Sequence, residues 1–136
     1  MRSFLLVFVL LFVSSSADEW KPIKSVSLQK DQLERIVVHS GALKKLLEFR
    51  WTLYSNNALV ILRSYDDFVA QHVLRSHYKS RSFRVNLLSR GKNRMMGPYL
   101  LVTFKHFDFK AKKALFDIYL SDDDEQVELK FLQETM

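Results

Sequence analysis

The chain has 136 residues, of which 48% are hydrophobic, 26% charged and 13% aromatic, with a formal charge of +6. That composition excludes a mostly disordered chain, which would bury too little apolar surface to offset the entropy of ordering; three Gly and two Pro exclude a collagen-like or linker array. There is no Cys, which removes disulfide scaffolds, thiolate metal sites, iron–sulfur ligation and a thiol nucleophile together.

The first segment reads as a signal for export. Arg2 precedes an unbroken apolar run over residues 4–13, and Ser14-Ser15-Ser16-Ala17 follows it. A membrane-spanning helix needs about 20 residues, so the run is too short to cross a bilayer. Charge, apolar stretch and small residues at Ser15 and Ala17 match a secretory signal peptide over residues 1–17, cleaved before Asp18. No Asn-x-Ser/Thr acceptor occurs. With the missing Cys, this points to the periplasm, or to secretion, rather than a eukaryotic secretory route.

Residues 18–136 read as a single mainly-β domain without a transmembrane segment. Residues 18–25 form a polar lead-in with Pro22. Over residues 27–40, Ser27 is a fitting cap and Leu33, Ile36 and Val37 recur at helical spacing, which predicts one short N-terminal helix. Gly41 stands where a left-handed C-cap would sit. Ile36-Val37-Val38 is also good strand material.

Beyond Gly41 the period becomes two. Leu47, Phe49, Trp51 and Leu53 alternate with polar residues, and Asn56-Asn57 marks a tight hairpin turn. Residues 59–65 return. Asp66-Asp67 is a turn pair or a helix cap, so residues 68–75 are either a short helix or a third strand. Strands are expected over residues 82–88 and 99–109. Residues 115–120 and 127–132 are expected to form a hairpin about Asp122-Asp123-Asp124-Glu125. Short polar turns imply antiparallel pairing, so the fold expected is mainly β (α+β): an antiparallel meander of about five to seven strands plus the helix.

Charge is unevenly spread. Residues 75–113 hold eleven Lys/Arg and one acid, while residues 114–136 hold seven acids and one Lys. The densest basic stretch, residues 75–94, contains Arg75, Lys79, Arg81, Arg84, Arg90, Lys92 and Arg94, interleaved with Tyr78 and Phe83. Basic residues among aromatics suit phosphate neutralisation and stacking on nucleic acid. Export makes nucleic acid the lesser expectation, and an anionic envelope protein or a lipid head group the greater one. A plain solvated surface would have the same composition.

Chemistry has few footholds. His72 and His77 sit roughly 140° apart on a helix and on opposite faces of a strand, so they do not converge on a metal. Asp122, Asp124 and Gln126 start like a calcium loop, but Val127 replaces the Gly and Gln133 the bidentate Glu. The Gly-x-Ser-x-Gly elbow is missing. The function expected is therefore an exported, non-enzymatic binding domain using the basic stretch, with no cofactor. One alternative is a small periplasmic hydrolase using His72, His77 or His106 with an Asp. The other is a carrier of lipid or small apolar ligands in a concavity of the sheet lined by Trp20, Trp51, Tyr54, Tyr65, Tyr99 and Phe107, although aromatics at alternate strand positions are more often core.

Overall fold

A computed structural model describes residues 20–75, 79–88 and 97–132, and every regular element among them is a β-strand. The leader expected over residues 1–17 lies outside the described residues. In place of the helix expected over residues 27–40 stand two strands, β1 (Lys24–Gln29) and β2 (Glu34–Ser40). The apolar spacing there fits period two as well as a helix. Glu34, Ile36 and Val38 share one buried face, while on the other face Arg35 and His39 are half-buried and Val37 between them is buried as well. β-Branched residues at 36–38 favour the extended form, and β2 gains a partner strand on each side. Gly41 (φ +61°) opens the two-residue turn into β3 rather than capping a helix, a position where a positive φ suits a Gly-X hairpin.

The chain continues through β3 (Leu43–Ser55), β4 (Ala58–Tyr65), β5 (Phe68–Leu74), β6 (Ser82–Asn86), β7 (Tyr99–Asp108), β8 (Lys113–Ser121) and β9 (Glu128–Leu132). Asn56-Asn57 and Asp66-Asp67 each hold two consecutive positive φ angles between paired strands. That is the mirror-image turn whose twist matches the flanking strands, and Asn and Asp tolerate it. Asp66-Asp67 is thus a turn pair, and residues 68–74 are a strand.

Two antiparallel sheets result, in the orders β1-β8-β7-β6 and β5-β4-β3-β2-β9. In place of the expected single meander of about five to seven strands, the described residues form nine strands in two layers, because β1→β2, β5→β6 and β8→β9 each cross between layers. β8 and β9 do not form a hairpin. Their connection is held by Asp122, whose carboxylate accepts the backbone N–H groups of Gln126 and Val127, both at 2.9 Å. No helix among the described residues is long and apolar enough to cross a membrane.

One core lies between the layers. Phe49 of β3 is fully buried and meets Phe83 of β6 and Phe116 of β8 edge-on, each at 5.6 Å. Two buried polar groups tie the layers together. Trp51 Nε1 donates to the Leu28 carbonyl at 2.8 Å, and the Tyr65 hydroxyl donates to the Leu87 carbonyl at 2.6 Å.

Candidate functional site

Two irregularities in the strands build the candidate site. In β3 the register slips between Trp51 and Leu53, leaving Thr52 as the extra residue; in β7 it slips between Phe104 and His106 at Lys105. A β-bulge of this kind reverses which residues beyond it face inward. Tyr54, opposite inward-facing Leu59, now shares the core face with Trp51, and Leu53 turns out to solvent. Phe107, opposite buried Ala114, joins the face of Phe104. The two re-aimed rings meet across the layers: Tyr54 and Phe107 stack at 4.3 Å with 8° between planes. Trp51 adds an edge contact to Phe107 at 5.4 Å, and Phe109 another at 5.1 Å.

These rings form an open cleft of about 390 Å³, within the usual size of ligand sites. Trp51, Tyr54, Phe107 and Phe109 line it, with Lys30 from the β1–β2 turn and Lys112 from the β7–β8 turn at its rim. Phe109 is 70% exposed, a large apolar surface that no core demand explains. Neither Lys30 nor Lys112 meets a carboxylate within ion-pair distance among the described residues. Nearby acids are engaged otherwise: Asp31 faces Arg50 at 4.0 Å, and Asp108 Oδ1 accepts the N–H groups of Lys110 and Ala111. The cleft can therefore take an apolar body and a negative head.

Of the other aromatics considered from sequence, Trp20 packs on Tyr119 at 4.9 Å, Tyr65 is in the core, and Tyr99 lies beneath Arg84. Trp51, Tyr54 and Phe107 alone of that set converge on the cleft.

The basic stretch is partly described. Tyr78, Arg90, Lys92 and Arg94 lie outside the described residues. Lys79, Arg81 and Arg84 are exposed, and Arg75 is half-buried. None of these four meets a carboxylate within ion-pair distance among the described residues. The Arg84 guanidinium sits 3.8 Å over the Tyr99 ring while its Nε donates to Asn86 Oδ1 at 3.0 Å. Phe83 is a correction. It is only 3% exposed and packs against Phe49, so it is a core residue and offers no surface to a partner. The alternation Ser82-Phe83-Arg84-Val85-Asn86 carries the signal, since Phe83 and Val85 share the inward face.

The histidines sit on separate strands: His39 on β2, His72 on β5 and His106 on β7, with His77 outside the described residues. No three His, Asp or Glu groups among the described residues gather as a metal site would require. His72 faces an arginine rather than an acid. Its Nε2 accepts the Arg63 Nε–H at 3.2 Å, and its ring stacks on Phe83 at 4.8 Å. Burial, and then the Arg63 charge, push its pKa below the ordinary 6.5. The folded protein thus excludes a proton that the unfolded chain accepts. Stability is full above pH 6.5 and falls as the pH drops below it. His72→Gln is expected to flatten that acid slope, read as urea midpoints at pH about 7.5 and about 5.5. Parallel slopes for the two proteins would remove the assignment.

No known protein family, curated protein or solved structure matches the chain significantly. The functional reading rests on its own residues.

Proposed function

We propose that this chain is a non-catalytic binding domain for an anionic amphiphile, a molecule with an apolar body and a negatively charged head. The observation that carries the reading is the cleft between the two bulges, where Tyr54 and Phe107 stack, Phe109 stays exposed and two lysines stand at the rim. Bulges are over-represented beside functional sites, where they re-aim side chains. Burying the apolar body would supply most of the affinity, and Lys30 and Lys112 would orient the head. Taken with residues 1–17 as an export leader, the ligands within reach are the lipids and fatty acids of a cell envelope.

Oleate is the probe. The chain has two tryptophans, so Trp20→Phe leaves Trp51 as the only indole and a reporter inside the cleft. Oleate is expected to change Trp51 fluorescence saturably, and Lys30→Glu with Lys112→Glu to weaken binding by about fivefold or more, two exposed charge contacts being worth about 1 kcal/mol together at least. Oleyl alcohol, which has no charge, should respond little to the lysine changes. No saturable change with oleate, or equal affinity in the double variant, would refute the reading.

A second reading is supported by Arg75, Lys79, Arg81 and Arg84, which carry positive charge without an acid partner among the described residues although the chain forms ion pairs elsewhere. Here the partner is an anionic macromolecule or lipid head group of the envelope, with guanidinium groups bridging its oxygens. Arg81→Glu with Arg84→Glu is expected to cut adsorption to phosphatidylglycerol vesicles at low salt, leaving the thermal midpoint nearly unchanged. Undiminished adsorption would remove this reading.

A further inference from the structure

Four strands lie at the edges of the sheets: β1 and β6 in one, β5 and β9 in the other. Natural edges discourage pairing with other chains by carrying charge or proline. β1 holds Lys24 and follows Pro22, β6 holds Arg84, and β9 holds Glu128 and Lys130. β5, Phe68-Val69-Ala70-Gln71-His72-Val73-Leu74, carries no Lys, Arg, Asp, Glu, Pro or Gly. It also exposes three apolar residues: Phe68 at 59%, Val69 at 62% and Val73 at 42%. Among the described residues its one bonded partner strand is β4. Nothing in its sequence protects the other edge.

We propose that a second copy of this chain pairs with that edge, β5 against β5 and antiparallel, about a two-fold axis at Gln71. The sequence is self-complementary in that register. Val69 falls opposite the second copy's Val73, on the same face, because residues directly opposite in an antiparallel pair share a face. Phe68 falls opposite Leu74, bringing an exposed ring over a buried side chain. Just beyond the strand, Asp67 falls opposite the second copy's Arg75, twice by symmetry. Asp67 is exposed and Arg75 half-buried, and neither is in an ion pair within its own chain among the described residues. Opposite charges directly across the pair fix both the register and the choice of partner.

Packing supports the same register. Val73 lies opposite Val60, and Val60 opposite Leu53, in one outward row. The second copy's Val69 extends that row to four apolar side chains. The two five-stranded sheets become one of ten strands, and the contact is isologous and closes on itself, so it makes dimers rather than fibres. A single strand pair buries less than the standard interface of about 1,600 Å², so the dimer is expected to be concentration-dependent.

The absence of Cys makes the register directly testable. Gln71→Cys puts the chain's sole thiol opposite itself, and a short bismaleimide is expected to yield covalent dimer, whereas Glu128→Cys on β9 yields monomer. In sedimentation over about 10⁻⁶ to 10⁻³ M the chain is expected to associate reversibly. Gln71→Lys, an exposed change that sets like charges face to face, should abolish association while leaving circular dichroism unaltered. Arg75→Glu should weaken it, and Arg75→Glu with Asp67→Lys should restore it. A monomer throughout the range overturns the proposal. So does association indifferent to Gln71→Lys, which would place the contact elsewhere. A monomer that instead binds an extended peptide along β5 overturns it in favour of strand capture from another protein. None of these readouts depends on the aromatic cleft.

Discussion

Phe49→Ala is expected to lower the unfolding free energy by about 3–5 kcal/mol, the range for emptying a buried phenylalanine site. Phe49 is fully buried, and its ring is where the layers touch, edge-on to Phe83 of β6 and Phe116 of β8. Removing it takes away the transfer energy of the ring and two aromatic contacts, and leaves a void bounded by two sheets that cannot easily close. Against a total stability of about 5–15 kcal/mol, such a loss leaves a marginal protein. Urea titration followed by far-ultraviolet circular dichroism reads it directly. Phe109→Ala is the internal control, because that ring is 70% exposed and its loss should change stability by about 0.5 kcal/mol or less. Equal losses in the two variants would mean that the layers are not held together at Phe49.

Tyr65→Phe should have the second largest effect and a signature in pH. The hydroxyl donates to the Leu87 carbonyl at 2.6 Å in a buried setting. Deleting it leaves that carbonyl unmet, at a cost of about 1–3 kcal/mol near neutral pH. Burial, with the neighbouring Asp66 charge, pushes the phenol up to about 12 from 10.0. Unfolded Tyr65 therefore ionises at a pH where the folded form does not. The stability that this group contributes is fully present below pH 10 and is lost as the pH rises from 10 toward 12. Tyr65→Phe has no such group, so its deficit relative to the native chain should shrink across that window. Guanidinium midpoints of both proteins, measured from neutral to strongly alkaline pH, give the difference. A constant gap would show that the phenol is not held neutral by its surroundings.

What could be read in the sequence was local chemistry. Asn56-Asn57 announces its turn because few residues other than Gly, Asn and Asp tolerate two positive φ angles in succession. Strand alternation in residues 99–104 is equally plain. Residues 27–40 misled because a short apolar run satisfies both periods, and what decided between them, pairing with β3 and β9, comes from residues far along the chain. The cleft was half visible. Trp51, Tyr54 and Phe107 could be named as possible lining, but strict alternation put Leu53 inside with Trp51 and separated Phe107 from Phe104. Nothing about Thr52 or Lys105 marks it as a bulge; the partner strand imposes that. The crossing of β8 to β9 was hidden for the same reason: an acidic turn looks alike whether it joins neighbours or layers. Charge bias located Arg84, yet the Tyr99 ring beneath it is brought there by pairing of β6 with β7.

The seam between β1 and β8 sets a timetable. Ser25 Oγ reaches Asp117 Oδ1 over a sequence separation of 92, and Lys24 aligns with Ile118. Closing so long a loop costs entropy before any contact rewards it, and topologies dominated by such pairings acquire their native form slowly, in about milliseconds to seconds. During synthesis β1 has no mate until β8 has emerged, whereas β2 to β5 pair with their sequence neighbours and can form as they appear. The sheet that holds β1 therefore closes late, and a holding chaperone would have time to meet its unpaired edge.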